Sequence, residues 1–121
     1  MVPTGYQNPN WPFEVGYSSN QKQYSHDLIM NEALEFIGRN HDSPFFLYLP
    51  VTVPHANNEG TKGTGNGQEI PDYGIYADQD WPDADKGQAA MISHLDRGVG
   101  EILAKLKELK IDDNTLSLIH I

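Results

Sequence analysis

A histidine that directly follows a strongly apolar run is the best candidate for chemistry in this chain. In PFFLYLPVTVPHANNEG, residues 44–60, one proline interrupts the apolar run from Phe45 to Val51, and His55 follows in a polar segment. Ligands of open α/β sheets bind just beyond the carboxyl ends of strands, and an imidazole there can bind an anionic oxygen or protonate a leaving group. We therefore predict His55 as a catalytic residue. The alternative is a surface histidine in a loop.

The other histidines form no recognisable metal motif. No two of the five are spaced at i+3 or i+4, and the sequence has no H-E-x-x-H. The acidic run DQDWPDADKG lacks the alternating ligands and closing glutamate of an EF-hand, so we interpret it as a solvated loop before a helix. No metal ligand is predicted, and the remaining histidines are expected to be solvated or capping: His26, His41, His94 and His120.

Composition narrows the function classes. The 121 residues carry 8 basic and 17 acidic side chains, a net charge of −9, so we expect no nucleic-acid partner. The absence of cysteine excludes disulfides, zinc–thiolate sites and a cysteine nucleophile within these residues. No apolar run approaches the roughly 20 residues of a membrane span, and the first residues do not resemble a signal peptide.

Two helices are predicted from apolar periodicity. The first begins at Ser25 as N-cap, carries Asp27 in its first turn and ends at the NHDSP segment. The second runs from about Asp85 to Leu109, where Gly98 and Gly100 weaken it. Their predicted buried faces consist of Leu28, Ile29, Ala33, Phe36 and Ile37 in the first, and Ala89, Ile92, Leu95, Val99, Ile102, Leu103 and Leu106 in the second.

Two strands and a long loop complete the predicted order. FFLYLPV is apolar enough for a strand buried on both faces, and a second strand begins at Thr115. Between them, residues 54–85 form a long loop in which aromatic side chains favour a folded conformation and GTKGTGNG is a flexible tip. Helix, strand, helix, strand is typical of an α/β fold with a parallel sheet. Two strands cannot complete a sheet, so we expect a segment of a larger, incomplete α/β domain.

The order of these signals resembles a known enzyme family. YSHDLIMNEALEFIGRN, then PFFLYLPVTVPHANNE, then the run from PDYGIYADQDW to DDNTL resemble the middle of a type I sulfatase. The likeness is to the arylsulfatase branch of the alkaline-phosphatase-like superfamily and is strongest over residues 24–116. It implies a partial sulfatase catalytic domain over residues 1–121, with a mixed sheet flanked by helices.

The resemblance also implies a mechanism. Sulfatases of this type attack sulfur with a formylglycine made from a C/S-x-P-S-R motif, while calcium and cationic side chains hold the sulfate oxygens. His55 matches the histidine of the strand-end PH element that contacts the sulfate or its leaving oxygen. Asn57 and Asn58, beside it, are the candidate substrate-binding residues. Asp96 and Arg97 match a helical element that we interpret as structural.

The chain lacks several elements of the family pattern. The C/S-x-P-S-R motif and an early pair of calcium-binding aspartates are absent, and residues 117–121 do not continue into a D-N-G element. We therefore expect an internal segment that is inactive alone, contains no formylglycine and binds no calcium itself. The resemblance implies a sulfate ester as substrate, a sulfated glycan in particular, and a periplasmic, secreted or lysosomal parent protein. Alternatives are a phosphatase or phosphodiesterase of the same superfamily, and a stand-alone, non-catalytic module.

Overall fold

Helices dominate the part of the chain that the computed structural model describes, residues 21–118. Residue His120 and the end of the second predicted strand lie outside this range. The α-helices are α1 (Ser25–Asn40), α2 (Asn58–Thr64) and α3 (Asp83–Glu108), and short 3-10 turns occupy Gly74–Tyr76 and Asp112–Asn114.

The predicted α/β sheet is wrong for the described residues. Residues 21–118 contain no β-strand, because neither apolar segment finds a neighbouring strand with which to exchange backbone hydrogen bonds. From Phe45 to Val53, more buried residues alternate with exposed ones, which is the two-residue period of an extended backbone. The segment is thus extended but unpaired, and only one of its faces is covered instead of both.

The core lies between α1 and α3. From α1 it takes Met30, Ala33 and Ile37, and from α3 it takes Ala90, Met91 and Leu106. Gly98 lets the helices approach closely, since a Cβ there would lie 2.8 Å from the Met30 Cε. The extended segment adds the buried Val53 and a contact between the rings of Phe45 and Phe36, whose centroids are 5.8 Å apart. These contacts fix the direction in which the chain leaves Val53.

The buried faces differ from the predicted ones. Ala33, Ile37 and Leu106 are buried as expected, but Leu28, Ile92 and Leu103 are each about half exposed. On α3 the buried line follows small residues, Gly87, Ala90 and Gly98, because these allow the backbone of α3 to approach its neighbours. The larger aliphatic side chains at the edge of the face have no cover among the described residues.

The connection between Val53 and α3 is folded throughout. The first part of its predicted flexible tip, residues 60–64, belongs to α2, which Asn57 caps at the start and Gly65 ends with a positive φ of 84°. Further along, Tyr76 stacks on Trp81, and its hydroxyl lies 3.0 Å from the Ser93 Oγ of α3. The folded conformation expected from the aromatic residues is thus confirmed.

Candidate active site

His55 stands at the point where the extended segment gives way to the loop before α2. The peptide bond from Val53 to Pro54 is cis, and the His55 backbone N–H donates to the Thr52 carbonyl at 2.9 Å. The Val53 side chain is buried while the His55 side chain is exposed. A tight turn anchored in the core therefore presents the imidazole to solvent.

The His55 ring is oriented by its own backbone. Its Nδ1 lies 2.6 Å from the Ala56 carbonyl oxygen, and because a carbonyl only accepts hydrogen bonds, Nδ1 must carry the proton. The neutral ring therefore has its lone pair on Nε2, which has no hydrogen-bond partner within residues 21–118. In this tautomer Nε2 can take up a proton, and in the imidazolium form it can donate one to an oxyanion.

Asn57 is held on both sides of its amide. The Oδ1 accepts from the backbone N–H groups of Glu59 and Gly60, each at 3.1 Å, and thereby caps α2. The Nδ2 donates to the Glu69 Oε2 at 2.9 Å. A contact of Asn57 with substrate would therefore use the second proton on Nδ2.

Asn58, the other candidate substrate-binding residue, is the first residue of α2 and has an exposed side chain. The structure thus brings His55, Asn57 and Asn58 together in one turn of chain. Glu69, which holds this turn through Asn57, was not found from the sequence. It lies twelve residues away in a segment without periodicity, and its only sequence signal is that it is the first acidic residue after Glu59.

A second polar cluster lies where α1 meets α3. The rings of Tyr24, His26 and His94 contact one another, with centroid separations from 5.7 to 6.5 Å. His94 Nδ1 lies 3.5 Å from Asp27 Oδ1, and Arg97 Nη2 lies 3.0 Å from the His94 ring nitrogens. The expectation of a solvated or capping role is wrong for His26, which is 3% exposed, whereas His41 does cap α1 by donating to the Gly38 carbonyl.

Burial governs the protonation of this cluster. Desolvation lowers the pKa of His26, and the backbone of His94 and the Asp27 carboxylate oppose the shift. Both ring nitrogens of His26 are buried, and neither has the geometry of a hydrogen bond with any described residue. Burial also raises the pKa of the Tyr24 hydroxyl to about 12, assisted by the charges of Asp27 and Glu69. Both groups therefore stay neutral near pH 7.

Neither a metal-binding cluster nor a membrane-spanning helix occurs among residues 21–118. Residues 21–118 contain no group of three histidine, cysteine, aspartate or glutamate side chains placed to hold a metal ion. The acidic run leads into α3, with Asp83 and Asp85 in the first turn, where carboxylates favour the helix dipole. None of the helices in the described part of the chain is long and apolar enough to cross a membrane.

Comparison with known proteins identifies relatives. The sulfatase family model matches residues 2–118. A curated N-acetylgalactosamine-6-O-sulfatase from Bacteroides thetaiotaomicron is 29% identical over 96 residues, which cover 74% of this chain. The match covers 15% of that enzyme, so the chain spans a small part of the relative's length. No solved structure matches the chain at a significant level.

Proposed function

The chain belongs to the sulfatase family, and we propose that it is the central segment of an enzyme that hydrolyses sulfate esters. The observation that carries this proposal is the family match over residues 2–118, within which His55 presents a solvent-facing Nε2. The substrate class we propose is sulfated carbohydrate, which the name of the 29%-identical N-acetylgalactosamine-6-O-sulfatase supports. The parent protein is proposed to be exported, as the resemblance implies.

His55 is the proposed catalytic residue of this segment. Hydrolysis of a sulfate ester breaks an S–O bond, and the alcohol that leaves must gain a proton. The imidazolium form of His55 can donate that proton from Nε2, or hold a sulfate oxygen with it, because Nδ1 is already bound to the Ala56 carbonyl. Asn57 and Asn58 are proposed to contact the substrate beside it.

Calcium and formylglycine belong to this proposal only as parts of the longer protein. The described residues do not fit a calcium ion, since no three candidate ligands converge, and the sequence contains neither cysteine nor the C/S-x-P-S-R motif. The purified 121 residues are expected to be inactive, and turnover of an aryl sulfate by them would contradict this.

The test is the variant His55→Ala in the full-length protein. We expect turnover of an aryl sulfate to fall by about 100-fold or more, the usual contribution of a general acid or base. The melting temperature should barely change, because the His55 side chain is exposed. The matched control is His41→Ala, a histidine at the C-terminal end of α1, which should keep its turnover.

Substrate preference separates the proposal from its alternatives. The full-length protein should hydrolyse an aryl sulfate much faster than the corresponding aryl phosphate. The opposite preference, with a requirement for zinc, would identify a phosphatase or phosphodiesterase of the superfamily. Turnover of neither ester would favour a stand-alone, non-catalytic module. A normal rate of sulfate turnover in His55→Ala would reduce His55 to a surface loop histidine.

A further inference from the structure

One peptide group connects the His55 ring to the rest of the loop. Its carbonyl, on Ala56, accepts from His55 Nδ1, while its N–H, on Asn57, donates to the Gly67 carbonyl at 2.8 Å. The two hydrogen bonds point in opposite directions from one planar unit, so rotating that unit would break both. The orientation of the imidazole therefore depends on whether the loop is closed at Gly67.

The closure depends on glycine at two positions. A Cβ on Gly67 would fall on the Thr61 hydroxyl and the Asn57 carbonyl, so only glycine allows these chains to approach. The next residue, Gln68, rests on Gly87 of α3, where a Cβ would lie 2.8 Å from the Gln68 carbonyl oxygen. Gly67 and Gln68, where the chain returns toward Asn57, thus pack between α2 and α3.

The side chain of Glu69 completes the closure. Its Oε2 accepts from Asn57 Nδ2 at 2.9 Å, and its Oε1 accepts from Gln21 Nε2 at 3.3 Å. Asn57 is thereby tied to the returning chain through both its backbone N–H and its side chain. A hydrogen bond to a charged acceptor is stronger than one between neutral groups, so the bond from Asn57 Nδ2 to Glu69 Oε2 strongly stabilises the closed loop.

We infer that Glu69 is a positioning residue for His55, acting through Asn57 and the 56–57 peptide to keep the proton on Nδ1 and the lone pair on Nε2. This rests on the proposed function, because it assigns Glu69 a role in presenting the same catalytic nitrogen. Carboxylates and carbonyls that orient a metal-binding histidine act in this way, and their loss commonly lowers metal affinity or activity about 10-fold to 100-fold.

The tautomer is measured directly by long-range ¹H–¹⁵N NMR on the 121-residue chain, at a pH well above the ordinary histidine pKa of about 6.5. The unaltered chain should show His55 protonated at Nδ1, whereas free imidazole side chains favour Nε2–H. Glu69→Ala should shift His55 toward the Nε2–H form. Glu69→Gln, which keeps an oxygen acceptor for Asn57, should retain Nδ1–H. Glu101→Ala, an exposed glutamate on α3, is the matched control and should leave the tautomer unchanged.

A second variant keeps the inference testable if Glu69→Ala fails to fold. Asn57→Asp still caps α2 but replaces the donor to Glu69 with a carboxylate that repels it. This variant should therefore also shift His55 from the Nδ1–H to the Nε2–H form. Combining Asn57→Asp with Glu69→Gln restores a hydrogen bond in the reverse direction and should recover Nδ1–H. An unchanged tautomer in Glu69→Ala and in Asn57→Asp would overturn the inference.

Kinetics in the full-length protein complete the test. Glu69→Ala should lower kcat about 10-fold with little change in KM, and Glu69→Gln should restore most of it. Equal rates in Glu69→Ala and the unaltered enzyme would contradict a positioning role. If the tautomer shifts in Glu69→Ala while His55→Ala keeps a normal rate, the positioning stands and the proposed function fails.

Discussion

At the scale of single residues, His26 is a histidine whose protonation folding opposes. It lies between α1 and α3 with 3% of its surface exposed, and neither ring nitrogen has a hydrogen-bond partner among the described residues. The charged or titratable groups that face it are Tyr24 and Asp27 near the start of α1, and His94 and Arg97 on α3. Because burial lowers the pKa of His26, the folded chain resists a proton that the unfolded chain accepts.

This difference predicts a loss of stability in mild acid. Neutral His26 contributes fully to the free energy of unfolding when the pH is above its pKa in the unfolded chain, about 6.5. This contribution is lost as the pH falls below that value. His26→Phe keeps a ring in the cluster but cannot titrate, so its melting temperature should fall less between pH 7.5 and 5.5. These pH values bracket the titration of an ordinary histidine.

The control for this prediction is His41→Asn at the C-terminal end of α1, which should retain the acid sensitivity. Melting is followed by circular dichroism at several pH values. If His26→Phe lost as much stability in acid as the unaltered chain, the titration of His26 would not be the cause.

The candidate functional residues differ in how far the sequence reveals them. His55 follows an apolar run, so its place beside a turn could be predicted, although the role of its Nδ1 could not. Glu69 contacts Asn57 only because α2 and the turn at Gly67 reverse the chain between them. Such a contact depends on three-dimensional closure, and neither periodicity nor spacing in the sequence carries a signal for it.

At the scale of helices, the long ones were predictable and the short one was not. The ends of α1 and α3 lie within about two residues of the predicted ones, because long apolar periodicity and end signals agree. One detail is wrong: Tyr24 stands at the N-cap of α1 and Ser25 is its first helical residue. α2 was missed because NEGTKGT has glycines and threonines that disfavour a helix, and the Asn57 cap compensates only locally.

Alanine substitutions at two glycines of α3, Gly87 and Gly100, are predicted to change the stability of the fold in opposite directions. A Cβ on Gly87 would lie 2.6 Å from the Gln68 Cβ and 2.8 Å from the Gln68 carbonyl oxygen, so Gly87→Ala should force the loop off the helix and destabilise by about 1–3 kcal/mol. A Cβ on Gly100 would meet nothing within 4 Å. Gly100→Ala should therefore stabilise α3 by about 1 kcal/mol, as an exposed glycine in a helix does.

Urea unfolding of the two variants measures this difference directly. The prediction requires opposite signs, which separates it from a general effect of alanine in helices. If Gly87→Ala were as stable as Gly100→Ala, Gln68 would not pack against α3 as described. The sequence predicted a weakening at Gly98 and Gly100 alike, but only Gly100 is exposed, since Gly98 lies against Met30.

At the scale of the whole molecule, the described residues leave a large apolar surface uncovered. On the outer side of the extended segment, Phe46 is 86% exposed and Tyr48 is 76% exposed, while Leu116 and Leu118 are each 82% exposed. The prediction of a double-sided buried strand rested on composition, and composition cannot distinguish the covered face from the uncovered one. Apolar groups beside unpaired backbone N–H and C=O groups are a common cause of self-association.

This surface predicts that the isolated chain associates through Phe46 and Tyr48. Replacing both residues with lysine should raise the concentration at which light scattering and sedimentation detect aggregates, because it charges the uncovered face. The melting temperature should be maintained, since neither side chain contributes to the core. Phe45→Lys is the contrasting variant: its ring packs on Phe36, so it should destabilise the fold and promote aggregation. If Phe46→Lys with Tyr48→Lys lowered the melting temperature as much as Phe45→Lys, the outer face would be part of a packed core and not an uncovered surface.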